Sequence, residues 1–370
     1  MRLDAFTERV MRKNKNNKSK LPLTISAQYG LVDQITFFNK VIASTDMSNY
    51  YLLKKGEFAY NKSYSSDYPW GAVKRLDNYE QGALSSLYIC FAPKDNVVSD
   101  FILQYFESPK WHKGVSEIAV EGARNHGLLN VSVQDFFHTY HYVPKDKKEQ
   151  IKVAELLMLL DERIATQNKI IDKLQSLIKG IVDCTILRKE KNAIVGDVCS
   201  ISEQIRAEAN IDDIITVRLH GNGVCKSSAE NLQLGATQYY RRRAGQLIYG
   251  KQNFHNGAIG IVPISLDNGI TSKDIPSFDI DEMKCNSVYL LAQLQSPQYY
   301  KPAEALTTGT GSKRLKEETF LRMPIVLPNK REQDNIAVLI HRASMKLDHA
   351  KNLLELLSIQ KQYLLRQMFI

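Results

Sequence analysis

The chain has 370 residues, 44% of them hydrophobic, a formal charge of +9 and a pI near 9.1. That length accommodates two domains with real cores, and the positive balance suits a polyanionic partner such as nucleic acid. Short apolar runs such as LLMLL argue against a membrane-spanning helix, and five scattered cysteines (Cys90, Cys184, Cys199, Cys225, Cys285) with no CxxC pair argue against a disulfide frame or zinc site and for a reducing cytoplasm.

Taken in order, the chain opens on MRLDAFTERVMRKNKNNKSK, which lacks the apolar stretch of a signal peptide. It carries instead six Lys/Arg and no acid from Arg9 to Lys20. Residues 1–143 mix strand-like GEFAY and SLYICFAP with a helical VSDFILQYFES. Residues 144–190 form a long charged helix with apolar positions at Val153, Leu157, Leu160, Ile164, Ile171, Leu174, Ile178 and Ile181. The steps alternate four and three, with one of seven across Gln167, which is the period of a coiled-coil seam. Residues 191–327 return to the mixed pattern with GQLIYG, GAIGIVPI and the helical NSVYLLAQLQS. Residues 328–370 close the chain with a second long helix.

The two halves are copies. Adding 183 to each seam position gives Ile336, Ile340, Ala343, Leu347, Leu354, Leu357, Lys361 and Leu364, a register broken only at Lys361. Each helix follows a proline (Pro144, Pro328) and a charged run ending in Glu-Gln (Glu149-Gln150, Glu332-Gln333), features that suit a helix start. Upstream, NVSVQDFFHTYHYVP matches RLKEETFLRMPIVLP, with Phe136 against Phe320 on a strand-like stretch. ESPKWHK matches QSPQYYK, and YYLLKKGEFAYNK matches YYRRRAGQLIYGK, with Gly56 against Gly245. A tandem duplication of an α+β unit plus a helix follows. If the second unit lies at the far end of the first helix, the second helix must run back beside it. The expected fold is therefore α+β, two pseudo-symmetric globular domains separated by two long helices in an antiparallel coiled coil. Leu160, Ile164, Ile171 and Leu174 are expected to pack against Leu347, Leu354 and Leu357.

Catalytic patterns are weak. GNGVCKSS has Cys225 where a phosphate loop needs glycine, and TGTGSKR follows a helix. His138 and His141 lack a ligand pattern around them, and the acidic FDIDEMK has no copy in the first unit, so it reads as a charged surface turn. Basic residues do recur at matched places. The candidates for DNA contact are Lys13, Lys15, Lys62, Tyr64, Lys74, Arg75 and Arg124 in the first unit. In the second they are Arg241, Arg242, Lys251, His255, Lys313 and Arg314. Lysine and arginine neutralise phosphates, while Arg, Asn and Gln can read base edges.

The whole chain, on VPKDKKEQIKVAELLMLLDERI and LPNKREQDNIAVLI above all, resembles the specificity (S) subunits of type I restriction–modification enzymes. The resemblance implies that residues 1–143 and 191–327 are target recognition domains, each reading half of a split, asymmetric site on double-stranded DNA. It implies that the helices of residues 144–190 and 328–370 hold two methyltransferase (M) subunits, with nuclease/translocase (R) subunits as further members of the assembly. The chain would be non-catalytic and cytoplasmic, with no cofactor of its own and S-adenosylmethionine carried by the M subunits. The charged faces around Glu149-Gln150 and Glu332-Gln333 are docking candidates. The helices would act as a ruler, since about 38 helical residues span about 57 Å, or roughly 17 base pairs of duplex. The alternative is a non-catalytic coiled-coil scaffold whose basic surface is incidental.

Overall fold

In the computed structural model, residues 1–119, 128–227, 237–309 and 313–369 are described. The chain forms two compact units, Met1–Asn168 with Leu353–Ile370, and Lys169–Asn352. The division falls inside both long helices, the central one (Lys147–Val182) and the C-terminal one (Lys330–Gln367).

Unit 1 holds strands β1 (Thr7–Arg9), β2 (Pro22–Ser26), β3 (Gly30–Asp33), β4 (Tyr51–Lys54), β5 (Phe58–Asn61), β6 (Ala72–Arg75), β7 (Gln81–Leu84) and β8 (Ile89–Pro93). One sheet runs β1-β8-β5-β6, antiparallel throughout. The other runs β3-β2-β7-β4, with β2 and β7 parallel.

Unit 2 holds β9 (Ala193–Ile194), β10 (Cys199–Ile201), β11 (Arg206–Ala207), β12 (Ile215–Val217), β13 (Val224–Lys226), β14 (Tyr239–Arg241), β15 (Leu247–Tyr249), β16 (Ile259–Ile261), β17 (Ile270–Ser272), β18 (Ser277–Ile280) and β19 (Pro324–Ile325). Its first sheet, β10-β18-β15-β16, repeats the order and pairing of the first sheet of unit 1. A second sheet, β11-β14-β17, repeats the β4–β7 pairing as β14–β17. The β12–β13 hairpin stands where β2 and β3 stand, joined by a parallel bridge from Ile214 to Ile270. β9 pairs with β19.

The duplication extends to individual atoms. Gly56 (φ 83°) and Gly245 (φ 86°) occupy the same left-handed turn, and each N–H donates across the sheet, to the Leu76 and Val262 carbonyls. A side chain closes each turn: Glu57 accepts from Lys54 N at 2.8 Å and Gln246 from Arg243 N at 2.9 Å. Phe136 stacks on Tyr60 at 4.6 Å between ring centres, and Phe320 packs on Tyr249 at 4.7 Å. Both phenylalanines lie on short helices (Val133–His138 and Glu317–Leu321), not on strands. A short apolar run has no period long enough to separate the two, and here packing onto the sheet decides.

Each long helix is fastened at its start in the same way. Asp146 and Asn329 cap the first turn, accepting from Lys148 N and Glu332 N. Gln150 is buried; its carbonyl oxygen accepts from Val98 N at 2.7 Å and its amide donates to Pro144 O. Gln333 is buried too, accepting from Asn286 N at 2.8 Å and donating to Lys284 O and Pro328 O. Val98 and Asn286 are the residues that open the helices Ser99–Glu107 and Ser287–Leu294, so each glutamine ties a long helix to a short one.

Within unit 1 the two helix segments run antiparallel. Ala154 and Leu157 share a core with Leu365 and Phe369, and further along Asp161 pairs with Lys361. Phe369 packs edge-on against Phe101 and Tyr105. Within unit 2, Val182 and Ile186 share a core with Ile336, Ala337 and Ile340, and Lys189 pairs with Glu332. Leu160, Ile171 and Leu357 are buried, while Ile164, Leu174, Leu347 and Leu354 are half-buried. Gln167 and its match Ala350 are buried as well, so the step of seven in the apolar pattern hides an occupied seam position.

Two predictions follow from this packing. Gln150→Ala leaves the Val98 N–H without its acceptor, and Gln333→Ala does the same at Asn286. Each is expected to cost about 1–3 kcal/mol in urea-unfolding free energy. In unit 1, His141 is buried between the Tyr105 hydroxyl (3.0 Å) and the Thr139 hydroxyl (2.7 Å), and burial pulls its pKa down to about 4. A depressed folded pKa means that the unfolded chain takes the proton first. The stabilisation is therefore full above pH 6.5 and is lost as pH falls toward 4, by about 3 kcal/mol in total. The protection factor of the Phe91 amide, which removes the intrinsic pH dependence of exchange, should fall over that window in the unsubstituted chain, and less steeply in His141→Asn.

Candidate nucleic-acid interface

In unit 1 the structure separates the basic candidates into two groups. Lys13 and Lys15 are exposed on the segment entering the second sheet, Lys13 lying over the Tyr51 ring at 4.2 Å and donating to Asn49 O. Tyr64 is exposed, and Lys62 half-buried, on the loop after β5. Lys74 is different: it is buried and paired with Glu107 at 2.6 Å. Arg75 is held by Asp77 and Asp100, both at 2.7 Å, and by the Ser99 hydroxyl. These two cations join β6 to the Ser99–Glu107 helix. Arg124 lies outside the described residues.

Unit 2 shows the same separation. Arg241 is exposed on β14, and with Arg243, Glu203, Asp279 and Glu282 it lines a cleft of about 380 Å³. Arg242 between them is fully buried. Its guanidinium donates to the Thr271 hydroxyl (2.7 Å), the Ser277 hydroxyl (3.0 Å) and the Ile275 carbonyl (3.0 Å), and burial pulls its pKa down to about 10. It cannot reach a ligand without unfolding the sheet. Lys251 is also buried, paired with Glu317 at 2.7 Å. It is the structural match of Lys62, since both carbonyls accept from the strand-closing leucine, Leu315 and Leu129, at 2.9 Å. His255 is half-buried beside Asn256, with Nδ1 buried and unpartnered. Lys313 is exposed, as is Arg314, which pairs with Asp274 at 3.2 Å.

The accessible set is therefore Lys13, Lys15, Lys62 and Tyr64 in unit 1, and Arg241, His255, Lys313 and Arg314 in unit 2. Arg243, part of the same basic run but not among the contact candidates, shares the cleft with Arg241. Strand alternation offers the signal: in a run of three arginines entering a sheet, the middle one faces opposite to its neighbours. Among the described residues no group of three or more His, Cys, Asp or Glu is placed to hold a metal ion, and no helix is long and apolar enough to cross a membrane.

The helices carry a second kind of surface. In unit 1 the exposed Leu156, Leu159 and Leu353, with buried Leu160 and Leu357, line an open apolar groove of about 560 Å³. Leu156 matches Leu339 and Leu353 matches Ile170 in the repeat, and both are exposed in unit 2. The faces around Glu-Gln are not comparable surfaces. Gln150 and Gln333 are buried and bonded, and Glu332 is paired with Lys189.

No protein-family model and no curated protein matches the sequence. Solved structures do. The S subunit of a type I restriction–modification system from M. genitalium superposes with a TM-score of 0.62, covering all of this chain and 95% of that one at 13% identity. A chain from a type I restriction–modification system, solved to explain its complex assembly and conformational transition, gives 0.53 over all of this chain and 96% of that one, at 12% identity. The fold is that of a type I S subunit. In this chain the buried glutamines, the packed Tyr–Phe pairs and the two left-handed glycines recur in both units, while the exposed residues around them differ.

The division between structural and accessible arginines predicts opposite behaviour at neighbouring positions. Arg242→Met leaves the Ser277 hydroxyl without its partner and the Ile275 carbonyl held by the Thr271 hydroxyl alone, and should cost about 2–4 kcal/mol in unfolding free energy. Arg241→Ala should leave stability within about 0.5 kcal/mol while weakening duplex DNA binding in a filter or anisotropy titration.

Proposed function

We propose that the chain is the DNA-specificity subunit of a type I restriction–modification complex. Unit 1 and unit 2 each carry a target recognition domain and read one half of a split site on double-stranded DNA. The observation that carries this reading is the same frame built twice, with matched buried residues and, off the long helices, unmatched exposed ones. Two binders that shared a frame and a target would keep their exposed residues alike. Readers of two different half-sites need the opposite, since sequence is discriminated by which side chains meet base edges. The full-length likeness to S subunits supports the same reading.

The helices serve assembly. Leu156 and Leu353 line the apolar groove of unit 1, and their matches Leu339 and Ile170 are exposed in unit 2, the kind of surface that marks a protein contact. Two such patches fit two methyltransferase subunits, which would bring S-adenosylmethionine, with nuclease/translocase subunits joining the larger complex. This chain contributes position and sequence choice, and the bond-making groups come with its partners. The domain limits follow the repeat: 1–143 and 191–327 for recognition, 144–190 and 328–370 for the helices.

Exchange of residues 191–327 with those of a relative of different target tests the division of labour. Mapping the methylated or selected site should show only one half-site altered, with the unread gap preserved because the helices are untouched. Alteration of both half-sites, or of neither, refutes it.

A further inference from the structure

The segment joining the two sheets of unit 1 has a counterpart in unit 2 with the opposite charge. Lys13 bridges to Tyr51 and Pro22 pairs with Ala83; between them lies NKNNKSKL, with three lysines and no acid. Arg206 pairs with Tyr240, the match of Tyr51, and Ile214 bridges to Ile270 on β17. Between those lies AEANIDD, with three carboxylates and no cation. Both loops contain a single 3-10 turn, Lys15–Asn17 and Ile211–Asp213. One loop is thus built to lie against phosphate, and its structural copy would be repelled by it.

The basic loop is also fixed in shape. Asn14 is fully buried: its amide donates to Ser19 O (2.9 Å) and Met47 O (3.3 Å), and its carbonyl oxygen accepts from Ser19 N (2.8 Å). Asn17 accepts from Met47 N and donates to Asp46. Asn16 (φ 57°) and Asn17 (φ 50°) take the left-handed turn that asparagine tolerates better than other side chains. Among the described residues, the exposed side chains of Lys15, Asn16, Lys18 and Lys20 have no hydrogen-bond or ion-pair partner. Four polar side chains are therefore left free on a backbone that is already ordered, which removes much of the entropic cost of using them.

We propose that residues 14–20 are a preformed DNA-reading tip used by unit 1 alone, with Asn16 meeting a base edge and Lys15, Lys18 and Lys20 the flanking phosphates. The proposal rests on the DNA-recognition function above. An asparagine carboxamide matches the donor–acceptor pair of adenine in the major groove, so the base at that position is adenine. The recognition set of unit 2 lies elsewhere, around Arg241 and Arg243.

The test is selection of randomised DNA duplexes by the full chain and its variants. The unsubstituted chain should yield a two-part motif. Asn16→Ala should lose discrimination at one adenine by roughly 5- to 100-fold while the rest of the motif stands. Asn16→Gly, which keeps the left-handed turn, should do the same, with unfolding midpoints confirming that both variants fold. Replacing Lys15, Lys18 and Lys20 by alanine should weaken all duplexes alike and flatten the log–log salt slope by roughly 2 to 3. Glu208→Gln with Asp212→Asn and Asp213→Asn should leave the motif unchanged. If folded Asn16 variants keep the full motif, if the lysine variant keeps its salt slope, or if the acidic-loop variant alters base preference, this tip is not the reader proposed. If the unsubstituted chain selects no motif, the DNA-recognition function itself fails.

Discussion

A buried glutamine at the start of each long helix is the constraint on which the rest of the structure depends. A helix end leaves backbone groups without partners, and so does the start of a short helix packed against a core. Gln150 and Gln333 answer both needs with one side chain, accepting from the backbone N–H that opens a short helix and donating to the carbonyl of the proline before the long one. Because each is almost fully buried, neither amide has water to fall back on. The direction in which each long helix leaves its sheet is thereby set within the same unit. Placement of the exposed leucines farther along the helix depends on that angle.

Much of this frame was legible because duplication shows in a sequence as a nearly constant offset, 183 to 189 positions here, whatever each copy does. The seam register, the Tyr60/Tyr249 and Phe136/Phe320 matches and the paired glycines all came through that route. What stayed hidden was the fate of individual polar side chains. Glu-Gln reads as a helix-start signature, yet nothing local says that Gln150 turns inward to meet a backbone amide 52 positions away. Lys74, Arg75, Arg242 and Lys251 looked like ligand-facing cations because charge is usually a surface property. Each has instead a partner contributed by a distant element: Glu107, Asp100, Thr271 with Ser277, and Glu317. Pairings at such separation belong to tertiary structure and leave no local pattern. Lys361, the one break in the seam, is the converse case, since Asp161 across the helix pair supplies the charge that makes a lysine tolerable there.

The accessible residues were partly readable. Lys13, Lys15 and Tyr64 stand out by charge or aromatic character, and the structure leaves them on the surface. Arg241 and Arg243 needed the pleat to be distinguished from Arg242. Asn16 carries no compositional signal at all; its interest comes from a buried neighbour, Asn14, that fixes the loop presenting it.

The make-up of the two units has a consequence for how the molecule is put together. Unit 2 is a single contiguous stretch, whereas unit 1 takes its final helical segment from Leu353 onward. During synthesis, then, the portion made first is finished last. Until Leu365 and Phe369 emerge, Phe101, Tyr105 and Leu157 lack part of their apolar cover, while unit 2 can already close. A nascent chain in that state exposes the kind of surface that chaperones bind. A chain cut before Leu353 would carry its damage in the core built from residues 1–168, far along the sequence from the cut.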